Sequence, residues 1–401
     1  MLRPDRDRRL LTTGRGIGRL TLASVFAASL LAGCGGGVPK IEDFGARGGD
    51  RTPGANATIE ERANAFVVDH DAFASIGYRI DWRGFPSVMP GERIRSMDVL
   101  GDVLVVQESG SSVTLMEPET GEVRWSNQLA GPLTLFVGTE RIRERLYVAS
   151  EPELYVLALD TGALLERQTY EKVVSTKPIP VGRVLIFGTP SGEILAHLTA
   201  NGVKYWGFDG NDSIEYSPVR VGRSVAAGTR AGDVLFVNAE NGALLGRSEV
   251  FRGPGAELGA GAEQLYVASL DRSLYAFSPE GAELRWRYRT DSPLRDQPVE
   301  HEGVVYVAVA SQGLVALEAG TGDVLWRSTG VGGSVVGVRG GRLTVWDSEN
   351  RKAYSIDPAS GEVVGQAELP GVRLMRQSPF LEGPLYVASD SGVIARFRPR
   401  F

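Results

Sequence analysis

From residue 74 onward the chain is written in short bursts of apolar residues separated by polar turns, and no 3.6-residue period is sustained anywhere. Runs such as RLYVAS (145–150), QLYVAS (264–269), VVYVAV (304–309) and PLYVAS (384–389) are each followed by a polar turn. After the turn comes an alternating LYAL-like segment, then a Thr-Gly or Asn-Gly turn, then a further strand that often ends in Trp. The bursts are four to seven residues long, β-branched and aromatic, and punctuated by Gly, Asp, Asn and Ser, which is the signature of strands joined by tight turns.

The pattern repeats. VTLMEPETGEVRW ends at Trp125, LYVLALDTGALLE at Glu166, ILAHLTANGVKYW at Trp206 and VLFVNAENGALLG at Gly246, followed by LYAFSPEGAELRW to Trp286, LVALEAGTGDVLW to Trp326 and AYSIDPASGEVVG to Gly365. The turn glycines are Gly121, Gly162, Gly202, Gly242, Gly281, Gly322 and Gly361, at intervals of 41, 40, 40, 39, 41 and 39 residues. A unit of four antiparallel strands every ~40 residues is a propeller blade. The last copy stops at Phe401 before its fourth strand, while a spare strand containing Gly77 and Trp82 precedes the first. Residues 74–401 number 328, eight lengths of 41. The expectation is therefore all-β: an eight-bladed propeller closed by an N-terminal strand that pairs with the C-terminal blade and covers two open sheet edges.

Recurrence at fixed register points to packing. The glycines supply φ > 0 in the turns. Trp82, Trp125, Trp206, Trp286 and Trp326 are expected to fill the wedges between blades, with each indole N–H on a backbone carbonyl. Glu166, Gly246 and Gly365 stand where three repeats lack Trp, so other residues must pack there. The tripeptide 345–347, VWD, falls on a mid-blade strand and out of register for a WD-type signature.

The first 73 residues read differently. Residues 1–33 carry six arginines against two acids and end in the apolar run LTLASVFAASLLAG, which is too short for a comfortable membrane span and fits a secretory signal. Arg8 and Arg9 also give a weaker match to a twin-arginine signal. LAGC (31–34) has the form of a bacterial lipobox, with Cys34, the sole cysteine, as the lipid-modified residue. Several acyl chains on one residue anchor stably where a single chain does not. Residues 34–73 then form a Gly- and Pro-rich tether, with a capping box from Thr58 to Glu61 that predicts a short helix at 59–66.

Composition and charge narrow the function. At 42% hydrophobic and 23% charged the chain is an ordinary globular protein. Its formal charge of −6 becomes −10 without the basic signal, which argues against nucleic acid and anionic lipid surfaces. His70, His197 and His301 lack zinc-binding spacing, and DGNDS (209–213) lacks the glycine and downstream glutamate of a calcium loop, so no metal is expected. No G-x-S-x-G elbow occurs.

ALDTG (158–162) and ALEAGTGDVLW (316–326) resemble the repeat of the pyrroloquinoline quinone enzymes. With the lipobox and eight blades, the chain from Cys34 onward is similar to the BamB family of outer-membrane assembly lipoproteins. That resemblance implies a non-enzymatic scaffold without a cofactor, held by lipid on the periplasmic side of the outer membrane. Gly35, where inner-membrane lipoproteins commonly carry aspartate, fits that address. The implied partners are a BamA-like barrel insertase and unfolded outer-membrane proteins. In the family the insertase contacts a Leu-x-Leu-Arg motif and a pair of aspartates on adjacent blades. The corresponding stretches here are 169–178, where the motif is missing but Lys172 supplies a base, and 213–218, where Glu215 keeps one acid beside Tyr216. The alternatives are a propeller that binds a saccharide, peptide or other envelope ligand, and a degenerate quinoprotein. A single cysteine leaves the latter without the vicinal disulfide such enzymes commonly carry.

Overall fold

A computed structural model describes residues 58–88, 92–131 and 133–400. Cys34 and the expected signal and tether up to residue 57 lie outside the described residues. The strands form eight four-stranded antiparallel sheets. Blades I to VII are consecutive, spanning 94–128, 136–169, 179–209, 219–249, 259–289, 299–328 and 334–368. Blade VIII takes three strands from 372–399, and its outer strand is Tyr78–Gly84, paired from Tyr78 opposite Pro399 to Gly84 opposite Ile394 with one irregularity between Ile80 and Trp82. The ring therefore closes as the sequence predicts.

The core is divided into eight layers, each made from the facing sides of two neighbouring blades. The two middle strands of a blade are covered on both faces, which is why they read as continuous apolar runs. Leu104–Glu108 and Leu265–Ser269 are buried at every position. Outer strands are covered on one face only, so Val123–Gln128 mixes buried Trp125 with exposed neighbours.

Tryptophan and turn glycine form one device. Each of the five repeat tryptophans lies against the turn glycine of the next blade, where a Cβ would sit 2.5 Å from Trp125 at Gly162, 2.5 Å from Trp206 at Gly242 and 2.6 Å from Trp286 at Gly322. Trp82 covers Gly121, and Trp326 covers Gly361. The indole N–H then donates to the carbonyl three residues before that glycine: Trp82 to Pro118, Trp125 to Leu159, Trp286 to Ala319 and Trp326 to Pro358, at 2.7–3.1 Å. Trp206 keeps the packing, but its indole N–H has no partner.

The three repeats without Trp are solved in three ways. Over Gly202 lies Gln168, two residues past Glu166, whose Nε2 donates to Thr199 O at 3.2 Å, the same carbonyl position a Trp would reach. At Gly246 the turn backbone of Gly281 and Ala282 comes in directly, so no side chain fits. Gly365 is covered by the end of a helix, α2 (His70–Ser75), whose Ser75 Oγ donates to Gln366 O at 2.6 Å. This helix occupies residues 74 and 75, so the closing strand starts at Tyr78 rather than at 74. Another short helix before it, α1 (Ile59–Ala65), begins at the Thr58–Glu61 capping box.

Candidate functional site

In each blade the first strand lines the axis and the fourth lies at the rim. Antiparallel order then puts the second-to-third strand turns and the blade-to-blade loops on one face, here called upper. The blades are not equivalent on that face. Inner strands have six or seven residues in blades I, II, VII and VIII, but two or three in blades III to VI. Pro178, Pro218 and Pro298 stand immediately before three of the short strands, and a proline without an N–H cannot extend the ladder. Pro379 departs from this: it follows the inner strand Val372–Gln377 instead of preceding one.

The result is four consecutive nine-residue loops, 170–178, 210–218, 250–258 and 290–298, that bulge over one half of the upper face. Each is nailed down by a buried apolar or proline residue: Val174, Ile214, Pro254 and Leu294. Each is also tied to its neighbour. Ser175 Oγ donates to Ile214 O at 2.7 Å, the Ser217 N–H to Glu257 Oε2 at 2.9 Å, and Gln297 Nε2 to Leu258 O at 3.0 Å. Such a braced platform loses little conformational freedom when something docks on it.

Lys172 and Glu215 sit on adjacent loops of this platform. The Lys172 ammonium lies 2.6 Å from Glu193 Oε2 and 3.2 Å from Asp209 Oδ1, and these bonds raise its pKa. Glu193 is buried and also pairs with Lys204, so Lys172 helps neutralise a buried carboxylate of blade III while its stem stays accessible. Glu215 is exposed. Tyr216 beside it is half-buried, and burial followed by the charges of Glu215 and Glu257 raises its phenol pKa, with Arg295 opposing. Ser213, the counterpart of the other family acid, holds a buried hydroxyl without a partner. In DGNDS, Asp209 pairs with Lys172 and Asp212 with Arg230. Among the described residues no three His, Cys, Asp or Glu side chains gather as a metal site would require.

Two apolar side chains stand out of the platform: Val173 at 50% and Phe251 at 82% exposure. Neither belongs to a sequence motif. A signal was present for Phe251, since the matching register in the other long loops holds Glu171, Asn211 and Asp291. An exposed aromatic at a position otherwise polar suits a contact anchor.

The axis holds a cavity of about 490 Å³ whose lining includes Asp98, Lys177, Gln297, Glu300, Met375 and Phe380. Its charges are largely committed: Lys177 Nζ is 2.8 Å from Asp98 Oδ1, and Glu300 accepts from Tyr266 Oη at 2.6 Å. His197 lies away from this cavity, buried on the third strand of blade III, with Nε2 2.9 Å from Gln168 Oε1. Burial lowers its pKa to about 4. His70 opens α2, and His301 ends an inner strand facing Phe380.

The comparisons agree with this architecture. A crystal structure of BamB from Moraxella catarrhalis superposes with a TM-score of 0.64 at 16% identity, covering 80% of this chain and 99% of that one. The computationally designed Ika8 protein superposes at 0.65 with 12% identity, covering 76% and 96%. At such identities the likeness shows the fold. No curated protein sequence matches the chain. The family profile described as outer membrane protein assembly factor BamB matches residues 142–257 and 230–398, more than half of the chain, and the chain therefore belongs to that family of PQQ-type propellers.

Proposed function

We propose that this propeller is a non-enzymatic scaffold of the outer-membrane β-barrel assembly machinery, lipid-anchored through Cys34 on the periplasmic side. Its upper-face loops 170–178, 210–218 and 250–258 receive a BamA-like insertase. Glu215 supplies charge, Tyr216, Phe251 and Val173 supply apolar contact, and Lys172 rims the patch. Unfolded outer-membrane proteins are a second class of client. The observation that carries this reading is the family match across residues 142–398, joined to a braced platform at the register where the family makes its partner contact. A ligand-binding role at the axis is the weaker reading, because three of the charged groups lining that cavity, Asp98, Lys177 and Glu300, are already engaged within the protein.

The test is site-specific photocrosslinking in native membranes from positions 215 and 251, with position 240, an exposed turn residue of the opposite face, as control. A large outer-membrane barrel protein should be captured from the first two and not from the third. Repeated absence of any barrel protein would remove the assembly role. Capture undiminished by Glu215→Arg would dismiss that residue's contact. Cys34→Ser should release the protein from the membrane fraction.

A further inference from the structure

Lys177 is the penultimate residue of the 170–178 loop, and its side chain takes an unusual route. It leaves blade III, crosses the inner strand of blade II and ends on Asp98 of blade I at 2.8 Å. The crossing needs a missing side chain in blade II. A Cβ at Gly138 would sit 2.6 Å from Lys177 Cγ. Two residues further along the same strand, on the same face, is Glu140. The inner strands of blades I and II and the base of the loop thus converge here: Lys177 pairs with Asp98, and Glu140 faces the same side from blade II without reaching ion-pair distance.

We infer that Asp98, Lys177 and Glu140 form a proton-operated latch at the base of the 170–178 loop, by which pH sets how firmly that loop is held to the ring. The charges acting on Glu140 are those of Lys177 from the loop and Asp98 from the inner strand of blade I. Its register partner Tyr147 belongs to the neighbouring strand. Glu257, on the 250–258 loop, also feels the Lys177 charge. Burial raises the Glu140 carboxyl to about 7, against the pull of Lys177 and with the push of Asp98. Below that pH Glu140 is neutral and the ammonium is held by Asp98 alone. Above it the Glu140 charge adds its longer-range attraction for Lys177 to the direct pairing with Asp98, so the loop base is gripped more tightly at pH 8 than at pH 6. Linkage makes the coupling reciprocal: whatever Glu140 does to the Lys177 contact, Lys177 does to the Glu140 proton. The latch is built from the Asp98–Lys177 pair, the passage left at Gly138 and the place of Glu140 on that strand, and the raised Glu140 carboxyl makes it pH-dependent; its effect on partner binding rests on the docking function proposed above.

Two measurements on the full chain test it. The first is a carbon-detected titration of the Glu140 carboxyl. A midpoint near neutrality is expected, moving up in Lys177→Met and down in Asp98→Asn. A midpoint in the ordinary carboxylate range, or one that neither variant moves, overturns the latch. The second is amide exchange of residues 171–177 measured against residues 211–217, whose intrinsic chemistry follows pH identically. The protection ratio should fall several-fold from pH 8 to pH 6 and become flat in Glu140→Gln, which keeps the shape of the side chain. An unchanged ratio in wild type overturns the proposal. If the ratio responds but crosslinking from position 215 finds no barrel protein, the latch holds and the docking function fails.

Discussion

Gly322 and Gly281 offer a matched pair of substitutions. Both are turn glycines with nearly equal backbone, φ +77° and +81°, yet a Cβ at Gly322 would fall 2.6 Å from the Trp286 ring, while at Gly281 nothing lies within 4 Å. Gly281→Ala therefore incurs the left-handed backbone penalty alone, about 1–2 kcal/mol, offset in part by the reduced freedom of the unfolded chain. Gly322→Ala incurs the same penalty and an overpacking cost of about 1–3 kcal/mol as the indole is pushed off its seat. Trp286 cannot retreat freely, because its N–H donates to Ala319 O at 2.7 Å and its ring packs on Tyr266. The net expectation is a loss of about 1 kcal/mol for Gly281→Ala and roughly 2–4 kcal/mol for Gly322→Ala. Urea unfolding followed by far-ultraviolet circular dichroism reads the difference, with the slope of the transition checked for constancy. A double variant isolates the cause: in a Trp286→Ala background, Gly322→Ala should cost no more than Gly281→Ala does in the wild type. If the two glycines cost the same in the wild-type background, or the Trp286→Ala background gives no relief, the tryptophan–glycine contact is not what holds neighbouring blades in register.

Three further outcomes follow from the same contacts. Trp286→Phe keeps an aromatic wedge but orphans the Ala319 carbonyl, and should cost about 1–2 kcal/mol in the same unfolding assay. His197 is held below its usual pKa, so its contribution is fully present above about 6.5 and is lost as pH falls to about 4; up to ~3 kcal/mol disappears over that window, and a variant with Asn at 197 should flatten the stability profile there. The raised carboxyls act in the opposite sense, Asp296 at about 6 and Glu140 at about 7, each losing its contribution as pH rises through those values, so Glu140→Gln should gain stability at pH 8 and not at pH 4. Phe251→Asp should leave stability within about 0.5 kcal/mol, since the ring is 82% exposed, while sharply reducing capture of the barrel protein by crosslinking from position 215.

What the sequence made legible was whatever repeats. Glycine and tryptophan recur at one register, and the structure joins them into the same contact at each blade boundary where both are present. A second regularity was equally readable: Glu153 with Arg167 and Asp233 with Arg247, fourteen residues apart, pair across the third and fourth strands of their blades. What stayed hidden needed three-dimensional distance. Gln168 replaces a Trp from two residues further along and reaches the same carbonyl position, while at Gly365 the wedge is closed by the backbone end of a helix almost 300 residues away in sequence, whose Ser75 bonds the strand at Gln366 instead. Lys172 shows the same limit. By residue type it is a free surface base, but its neighbour is Glu193, buried on another strand, and that pairing becomes visible only when the blades are assembled.

A ring of near-copies also changes what counts as a sign of function. A residue shared by every blade is explained by the packing every blade needs, so tryptophans and turn glycines carry no information about a partner. The informative positions are those where one blade breaks its own rule at a cost that packing does not require. Prolines shorten three of the four short inner strands and help free the long loops from the sheet. Phe251 exposes a ring where three sister loops expose polar groups, and Gly138 gives up a side chain so that Lys177 can cross a blade. These departures fall on one half of the upper face and on the part of the axis beneath it. Eightfold repetition builds a disc with no preferred direction, and the clustered exceptions give it one, which is the reason to look for the partner over blades II to V and not elsewhere on the ring.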